Sequence, residues 1–369
     1  MTNNLFNRYL EICDELTIAT RVYKIDDDYK NLHHEKINLN NLKILEFPNL
    51  NNPKIFLSSY HKYKNLLAEN MRDKNLIIVR SGLIAFMAAD IARKLKKPYL
   101  SEVFSCVFDE YYNYSLLGKI LAPFMEAWAK KTALNADFAF YVTEKYLQKI
   151  YPSNGYTDYA SDVILNDPDE NILNGRINKI NNPQNKNIIF GTIGGINNKA
   201  KGQHYFIQAM KILRDEFNIN IKYELVGGGN NLFLRSQAEK YNLSDKIIFK
   251  GELTHDEIFK WLDEIDIYIQ PSMQEGLSRA LIEAMSRACP AIASSTGGNP
   301  ELLESAAIFE RGNIKSLVNV VKNFINSDLI KHAEYNFKRA KNFEASKLDS
   351  KRREFYMKYR DYALNFKGE

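Results

Sequence analysis

Short apolar runs alternate with amphipathic stretches along the second half of the chain. The apolar runs have the length and bounding turns of buried strands, and the amphipathic stretches repeat apolar residues at helical spacing. The predicted strands are 187–194, 223–226, 246–249 and 266–272, and the predicted helices are 203–214, 232–241, 256–262 and 277–288. This alternation predicts a doubly wound α/β sheet between about residues 187 and 309.

The first half of the chain repeats this pattern less regularly. Its predicted strands are 16–22, 76–80, 98–104 and 139–143, and its predicted helices are 5–14, 84–95, 118–135 and 144–150. The segment 166–186 is polar, rich in asparagine and almost without periodicity, which indicates a hinge linker. The pattern therefore predicts two α/β domains, 1–165 and 187–345, followed by a helical tail, 346–369.

Length and composition restrict the class of protein. A chain of 369 residues is too long for one ordinary core. Its three cysteines are far apart and odd in number, which argues against a disulfide framework and for a reducing, cytoplasmic compartment. The sequence has no apolar run of about 18 residues and no signal peptide, so an integral membrane protein is not expected. The net charge is only +5 and basic–aromatic motifs are lacking, which argues against nucleic acid as a partner.

Two carboxylates follow the predicted strand 266–272. Glu275 precedes Gly276 in a short loop, and Glu283 lies inside the predicted helix. In an open α/β sheet this junction lies at the carboxyl edge, where ligands bind, and free amides at the start of a helix suit a phosphate. Those amides belong to Leu277, Ser278 and Arg279. The two acids are spaced to contact different parts of one elongated ligand such as a sugar nucleotide. The alternative is that Glu275 caps the helix and Glu283 is solvated.

This segment resembles the signature of glycosyltransferase family four, in which seven residues separate two glutamates. The resemblance continues through the predicted strand 289–294 and the glycine turn 297–302. It implies a GT-B fold, in which two Rossmann-like domains face each other across a cleft and the last helix returns to the first domain. The alternative for the tail is an amphipathic helix on its own domain. Its aromatic band comprises Phe355, Tyr356, Tyr359 and Tyr362.

The resemblance also implies roles for individual residues. Glu283 is expected to bind the ribose of the donor, Glu275 its sugar hydroxyls, and Lys201 its pyrophosphate. The other expected donor-binding positions lie in glycine turns; they are Gly194, Gly195, Lys199, Gly227, Gly251 and Leu253. The expected reaction moves a sugar from a UDP-sugar with retention at the anomeric carbon. Front-face attack by the acceptor is expected, without a metal or another cofactor.

The sequence departs from the family at three places. Gly195 stands where the family usually carries an arginine, and Phe104 stands where many members carry a histidine near the sugar. No catalytic histidine is therefore assigned. The chain enters helix 5–14 directly, so the family's first strand and its glycine-rich loop are expected to be missing. Two alternatives stay open: a sugar-nucleotide-binding protein without transferase activity, and a GT-B sugar-nucleotide epimerase.

At positions 80–82, 98–103, 106, 109, 141–149 and 151–152, the first half resembles a subgroup of these transferases that builds bacterial surface polysaccharides. This implies a glycan or lipid-linked acceptor in surface polysaccharide or lipopolysaccharide biosynthesis, and peripheral contact with the cytoplasmic face of the membrane. The candidates for holding the sugar or the acceptor are Arg80, Glu102 and Asp109, and a buried ion pair is an equally good interpretation of Arg80 and Glu102.

A run of three aspartates matches the D-x-D pattern by which another class of transferases holds a divalent metal. The residues are Asp26, Asp27 and Asp28. The rest of the chain does not match that class, so a solvated acidic loop is favoured. No metal site is predicted.

Overall fold

The structure is a computed structural model that describes residues 3–23, 37, 39–165, 169–183 and 187–367. The elements of the N-terminal domain are α1 (Asn3–Leu10), β1 (Leu16–Arg21), β2 (Leu42–Phe47), α2 (Pro53–Arg72), β3 (Ile78–Val79), α3 (Leu83–Lys94), β4 (Leu100–Val103), α4 (Val107–Tyr114), α5 (Leu116–Leu134), β5 (Phe138–Tyr141), α6 (Tyr146–Ile150) and β6 (Tyr156–Tyr159). A four-stranded parallel sheet has the order β3-β4-β5-β6, and β1 pairs in parallel with β2. The central strands β4 and β5 are almost entirely buried, as is typical of parallel strands.

The C-terminal domain contains a larger parallel sheet. Its elements are α7 (Glu170–Asn181), β7 (Ile188–Ile193), α8 (Gln203–Phe217), β8 (Ile221–Val226), α9 (Leu232–Lys240), β9 (Ile247–Gly251), α10 (His255–Glu264), β10 (Ile267–Gln270), α11 (Arg279–Ser286), β11 (Ala291–Ser294), α12 (Asn299–Leu302), β12 (Ile308–Phe309), α13 (Ile314–Ile325) and α14 (Leu329–Ala340). The strand order is β12-β11-β10-β7-β8-β9. The chain builds β7, β8 and β9 outward and then returns to place β10 on the other side of β7. This reversal creates a topological switch point between β7 and β10.

The segment predicted as a hinge linker contains a helix, α7, that the sequence did not predict. Helix α7 packs on the C-terminal domain through Arg176, which is buried and donates to the carbonyl oxygens of Leu262 and Ile265, at 2.6 Å each. Lys179 donates to the carbonyl oxygen of Ile265 as well, at 2.8 Å. These carbonyls end α10 and lack intrahelical partners, so two cations of α7 complete its hydrogen bonding.

The last helix, α15 (Ala345–Asn365), leaves the C-terminal domain and packs against the sheet of the N-terminal domain. The ring of Phe355 contacts those of Phe138 and Phe140, with centroids 5.6 and 4.8 Å away. The hydroxyl of Tyr359 donates to the carbonyl oxygen of Ile77 at 2.7 Å and accepts from its N–H at 2.8 Å. The aromatic band of the tail thus completes the core of the first domain.

We expect Phe355→Ala to destabilise the N-terminal domain by about 3 to 5 kcal/mol, because it removes a buried aromatic ring and leaves a cavity. Phe355 is 1% exposed, whereas Leu364 on the same helix is 57% exposed. Urea unfolding monitored by tyrosine and tryptophan fluorescence measures the change, and Leu364→Ala is the matched control. Equal unfolding midpoints for the two variants would contradict this packing.

Candidate active site

Two loops meet at the switch point of the C-terminal sheet. The loop after β7 ends in a short 3₁₀ turn at Lys201, and the loop after β10 carries Glu275. The Lys201 Nζ lies 2.8 Å from the Glu275 Oε1, and the Glu275 side chain is only 10% exposed. The loops are locked together at Gly202, whose φ is +73° and where a Cβ atom would lie 1.9 Å from the carbonyl oxygen of Pro271. Only glycine fits at this contact.

The Glu275 carboxylate is held from a second side by a residue that sequence reasoning missed. Gln270 Nε2 donates to Glu275 Oε1 at 3.0 Å, and it also donates to the hydroxyl of Ser272 at 2.7 Å. The Tyr268 hydroxyl fixes the orientation of Gln270 by donating to its Oε1 at 2.6 Å. The sequence carried one signal for Gln270: it is a polar residue at the last position of an otherwise apolar strand, β10, which is fully buried.

Bare backbone lines the site next to Lys201. A Cβ atom on Gly194 would lie 3.1 Å from the Lys201 Cγ, and one on Gly227 would lie 2.3 Å from the Gly194 carbonyl oxygen. Gly195 is less crowded, because a Cβ atom there would meet only Asn197 Oδ1 and Asn198 Cβ, the nearer at 3.7 Å. Crowding therefore does not explain the absence of the family's arginine at this position.

Glu283 lies on α11 behind the same edge of the sheet. Within the described part of the chain its carboxylate makes no hydrogen bond or ion pair. Burial raises the pKa of Glu283, and the charges of His255 and Arg279 act in the opposite direction. The Ser278 hydroxyl caps α11 by accepting from the N–H of Leu281 at 3.3 Å. Glu283 is thus a half-buried carboxylate with free acceptor capacity beside the switch point.

The structure brings most of the predicted donor residues to this edge. They are Gly194, Gly195, Lys201, Gly227, Glu275, Gly276, Leu277, Ser278, Arg279 and Glu283. Gly251 ends β9, and its carbonyl oxygen accepts from the N–H of Gly227 at 2.8 Å. Leu253 follows and packs partly against the core. Lys199 is directed elsewhere, because its Nζ lies over the ring of Phe233, 4.3 Å from the centroid.

The signature loop touches the N-terminal domain through a second close glycine contact. A Cβ atom on Gly276 would lie 1.9 Å from the carbonyl oxygen of Phe104, just after β4. A Cβ atom on Gly298 would lie 2.9 Å from the Thr143 Cγ2. The Phe104 ring lies beneath the guanidinium of Arg80, with 4.9 Å between the guanidinium carbon and the ring centroid. Backbone-to-backbone approach therefore closes the cleft next to Glu275.

Asp109, a predicted sugar or acceptor residue, takes part in this domain contact. Its Oδ2 lies 2.9 Å from the Arg311 Nη1, which also donates to the carbonyl oxygen of Met273 at 3.2 Å. Burial raises the pKa of Asp109, and Arg311 acts against that shift. Asp109 therefore joins α4 to the C-terminal domain, and its contact with an acceptor stays a prediction.

A further domain contact was not identified from the sequence. The Glu301 carboxylate accepts from the N–H groups of Glu144 at 2.8 Å and Lys145 at 3.1 Å, just before α6. Arg339 donates to the Glu144 carboxylate at 3.3 Å and to the Glu301 carbonyl oxygen at 3.0 Å. An acid in the C-terminal domain therefore binds the free amides at a helix start in the N-terminal domain. The signal for this contact in the sequence was the position of Glu301, an acid within the glycine turn 297–302.

Arg80 and Glu102 form the ion pair that the sequence left open. The Arg80 Nε lies 3.2 Å from the Glu102 Oε2. The hydroxyl of Tyr9 donates to the same oxygen at 2.8 Å, and that of Tyr356 donates to Oε1. Glu102 is buried, so this network ties α1 and α15 to the end of β4. Contact of either residue with a sugar or an acceptor stays a prediction.

Among the residues that the structure describes, no group of three or more His, Cys, Asp or Glu side chains could hold a metal ion. The aspartates Asp26, Asp27 and Asp28 lie outside the described residues. Within that same part of the chain, every helix is too short or too polar to cross a membrane.

Two Rossmann-like domains with a cleft between them, a site at the switch point of the second sheet and a last helix that returns to the first domain define the GT-B class of glycosyltransferases. Residues 175–343 match the family model described as glycosyl transferases group 1. Protein CapJ of Staphylococcus aureus is 30% identical over 333 residues, which cover 88% of this chain and 81% of CapJ. The chain belongs to the group 1 glycosyltransferases.

Other known proteins agree with this assignment. The putative colanic acid biosynthesis glycosyltransferase WcaL of Escherichia coli is 31% identical over 114 residues, 29% of this chain and 28% of WcaL. The solved structure of sucrose-phosphate synthase from Thermosynechococcus elongatus superposes with a TM-score of 0.68 at 17% identity. The alignment covers 96% of this chain and 92% of the synthase chain. Anabaena HepE, solved with UDP-glucose, has a TM-score of 0.58 at 16% identity and covers 85% of each chain. At these identities the two solved structures show a shared fold.

We expect the Asp109–Arg311 pair to couple the two domains by about 1 kcal/mol or more, as residues in direct contact usually do. A double-mutant cycle with Asp109→Asn and Arg311→Ala, measured by urea unfolding of the whole chain, gives this coupling. Asp109 is 8% exposed and Arg311 is 42% exposed.

A second cycle, on the exposed Asp328–Lys331 pair, is the control, since exposed pairs contribute close to zero. Strictly additive effects of Asp109→Asn and Arg311→Ala would contradict a domain-joining role for Asp109.

Proposed function

We propose that the protein is a retaining, metal-independent glycosyltransferase that moves a sugar from a UDP-sugar to a glycan or lipid-linked acceptor. The observation that carries the proposal is the Lys201–Glu275 pair at the switch point, with Glu283 beside it. A sugar nucleotide has three parts that would bind here: its pyrophosphate at Lys201, its sugar at Glu275 and its ribose at Glu283. The UDP in the HepE structures supports the choice of nucleotide.

Lys201 would stabilise the charge that develops on the departing diphosphate. Its ammonium is now neutralised by Glu275, 2.8 Å away. Bound pyrophosphate would compete for that ammonium and release the Glu275 carboxylate toward the sugar hydroxyls. A fixed cation is most effective in a site shielded from water, where the reaction requires no reorganisation of solvent.

The contacts between the domains would supply that shielding. Gly276 touches the backbone at Phe104, and the Asp109–Arg311 pair lies across the cleft. A closed cleft excludes water and so protects the donor from hydrolysis. Among the described residues at the switch point, Glu275 is assigned to the sugar hydroxyls and Glu283 to the ribose, so neither carboxylate is proposed as a nucleophile. This supports front-face attack, with the diphosphate as base.

The acceptor side of the proposal rests on relatives. WcaL is named for colanic acid biosynthesis, and AmsK of Erwinia amylovora, 32% identical over 113 residues, is named for amylovoran biosynthesis. Both names indicate bacterial polysaccharides. We therefore propose a role in surface polysaccharide biosynthesis, and the resemblance to that subgroup supports action at the cytoplasmic face of the membrane.

A second candidate is sugar-nucleotide binding without transfer. It is favoured by Gly195, which leaves the loop without the family's arginine, and by Lys199, whose ammonium is stacked on Phe233 and does not replace it. In this case the donor binds but no sugar is transferred.

We expect Lys201→Ala to weaken UDP binding by about ten- to a hundredfold while uridine binding is unchanged, because only UDP carries the phosphates that the ammonium contacts. We expect Glu283→Ala to weaken both ligands, since both contain the ribose. Calorimetric titration measures these affinities. Lys211→Ala, on the exposed face of α8, is the charge-matched control. Equal loss of uridine and UDP affinity in Lys201→Ala would contradict the phosphate role.

We expect Glu275→Gln to keep or strengthen UDP binding, because Lys201 loses its internal partner, and to lower sugar transfer by about a hundredfold or more. The measurement is release of UDP from a panel of UDP-sugars in the presence of acceptor. Glu216→Gln, an exposed acid on α8, is the control. A wild-type protein that binds UDP-sugars but never turns over would favour the second candidate, and Glu275→Gln with full activity would overturn the assigned role.

A further inference from the structure

Helices α4 and α5 expose an unusual number of large apolar side chains. Leu116, Ile120 and Phe124 are 81%, 67% and 70% exposed, and Tyr114 before them is 87% exposed. Leu117 and Tyr112 are partly exposed as well. Exposed apolar residues that occur singly are normal, but a contiguous group usually marks an interaction surface. We name these six residues the α4–α5 patch.

The patch occupies one side of α5. At 3.6 residues per turn, Leu116, Leu117, Ile120 and Phe124 fall within an arc of roughly 100°. The opposite side of the helix is buried; it carries Gly118, Ala122, Met125 and Ala129. The helix therefore has apolar residues on both its core side and its solvent side. Packing within the domain explains the buried apolar residues of α5 but not the exposed ones.

The charged side chains of α4 and α5 themselves present mainly positive charge to solvent. The acids of α4 and α5 are turned inward: Asp109 pairs with Arg311, Glu110 accepts from Ser105, and Glu126 accepts from Tyr151. Glu126 is 13% exposed, whereas Lys130, which lies 3.3 Å from it, and Lys131, which lies 3.9 Å from Asp90, are 53% and 61% exposed. Lys119 is also exposed and lies beside the ring of Tyr112.

This combination fits one kind of partner. Aliphatic and phenylalanine side chains insert at the boundary of the acyl chains, tyrosines favour the headgroup level, and lysines attract anionic lipids. A second protein surface would require no cationic rim. We propose that the α4–α5 patch docks the protein peripherally on an anionic bilayer, with Leu116, Ile120 and Phe124 inserted and the lysines at the headgroups.

The position of the patch links it to the cleft. Helix α4 starts three residues after Phe104, whose carbonyl oxygen touches the Gly276 backbone, and it carries the Asp109 that pairs with Arg311. Its eight residues span about 12 Å. The link to a lipid-linked acceptor rests on the proposed function: an acceptor anchored in the bilayer at the patch would hold its headgroup near the mouth of the cleft.

The experiment is flotation of the full chain with vesicles of phosphatidylcholine alone or mixed equally with phosphatidylglycerol. We expect the wild-type protein to bind the mixed vesicles. The double variant Ile120→Ser/Phe124→Ser should bind them at least about tenfold more weakly, because two inserted side chains are removed. Lys119→Glu should lower the preference for phosphatidylglycerol. Leu232→Ser is the matched control, because Leu232 is 68% exposed on the other domain.

Three results would overturn the proposal. The first is wild-type protein that fails to float with either vesicle, and the second is a double variant that floats as well as wild type. The third is a dimer in analytical ultracentrifugation that the double variant abolishes without any vesicle binding, which would assign the patch to a second copy of the chain. Titration with UDP is independent of the patch, so failure of the donor site and failure of membrane docking are distinguishable.

Discussion

The candidate site depends on the adjacency of β7 and β10 in one parallel sheet. Parallel pairing brings the carboxyl ends of both strands to the same edge, although 73 residues (194–266), which include β8 and β9, lie between the end of β7 and the start of β10. The loops that follow then approach each other, and Gly202 against the carbonyl of Pro271 sets how closely. At that separation the ammonium of Lys201 reaches the carboxylate of Glu275.

A second constraint acts between the domains. The backbone at Gly276 lies against the backbone at Phe104, so any side chain in place of this glycine would force the cleft apart. The ionic contacts, Asp109 with Arg311 and Glu301 with the amides before α6, lie at the same junction. Each is a polar interaction that water can replace when the domains separate. Such contacts suit a cleft that opens and closes, whereas an apolar junction would favour a fixed arrangement.

The same N-terminal helices connect the cleft to the surface. Helix α4 contributes Asp109 to the domain junction, and α5 exposes Ile120 and Phe124 at its far side. The inward orientation of Glu126 leaves the outer surface apolar and cationic. The N-terminal domain therefore combines a core that α15 completes with an apolar and cationic surface, the α4–α5 patch, that the packing of the domain does not explain.

The sequence by itself determined the strands β7 to β11, because each is an apolar run bounded by turn residues, and it placed Glu275 and Glu283 after β10. It did not determine α7, whose polar sequence is helical because Arg176 and Lys179 bind the carbonyls that end α10. It also left Gln270, Arg311 and Glu301 unassigned. The partners of the last two lie in the other domain, and local pattern carries no information about such distant contacts; only the tertiary structure decided them.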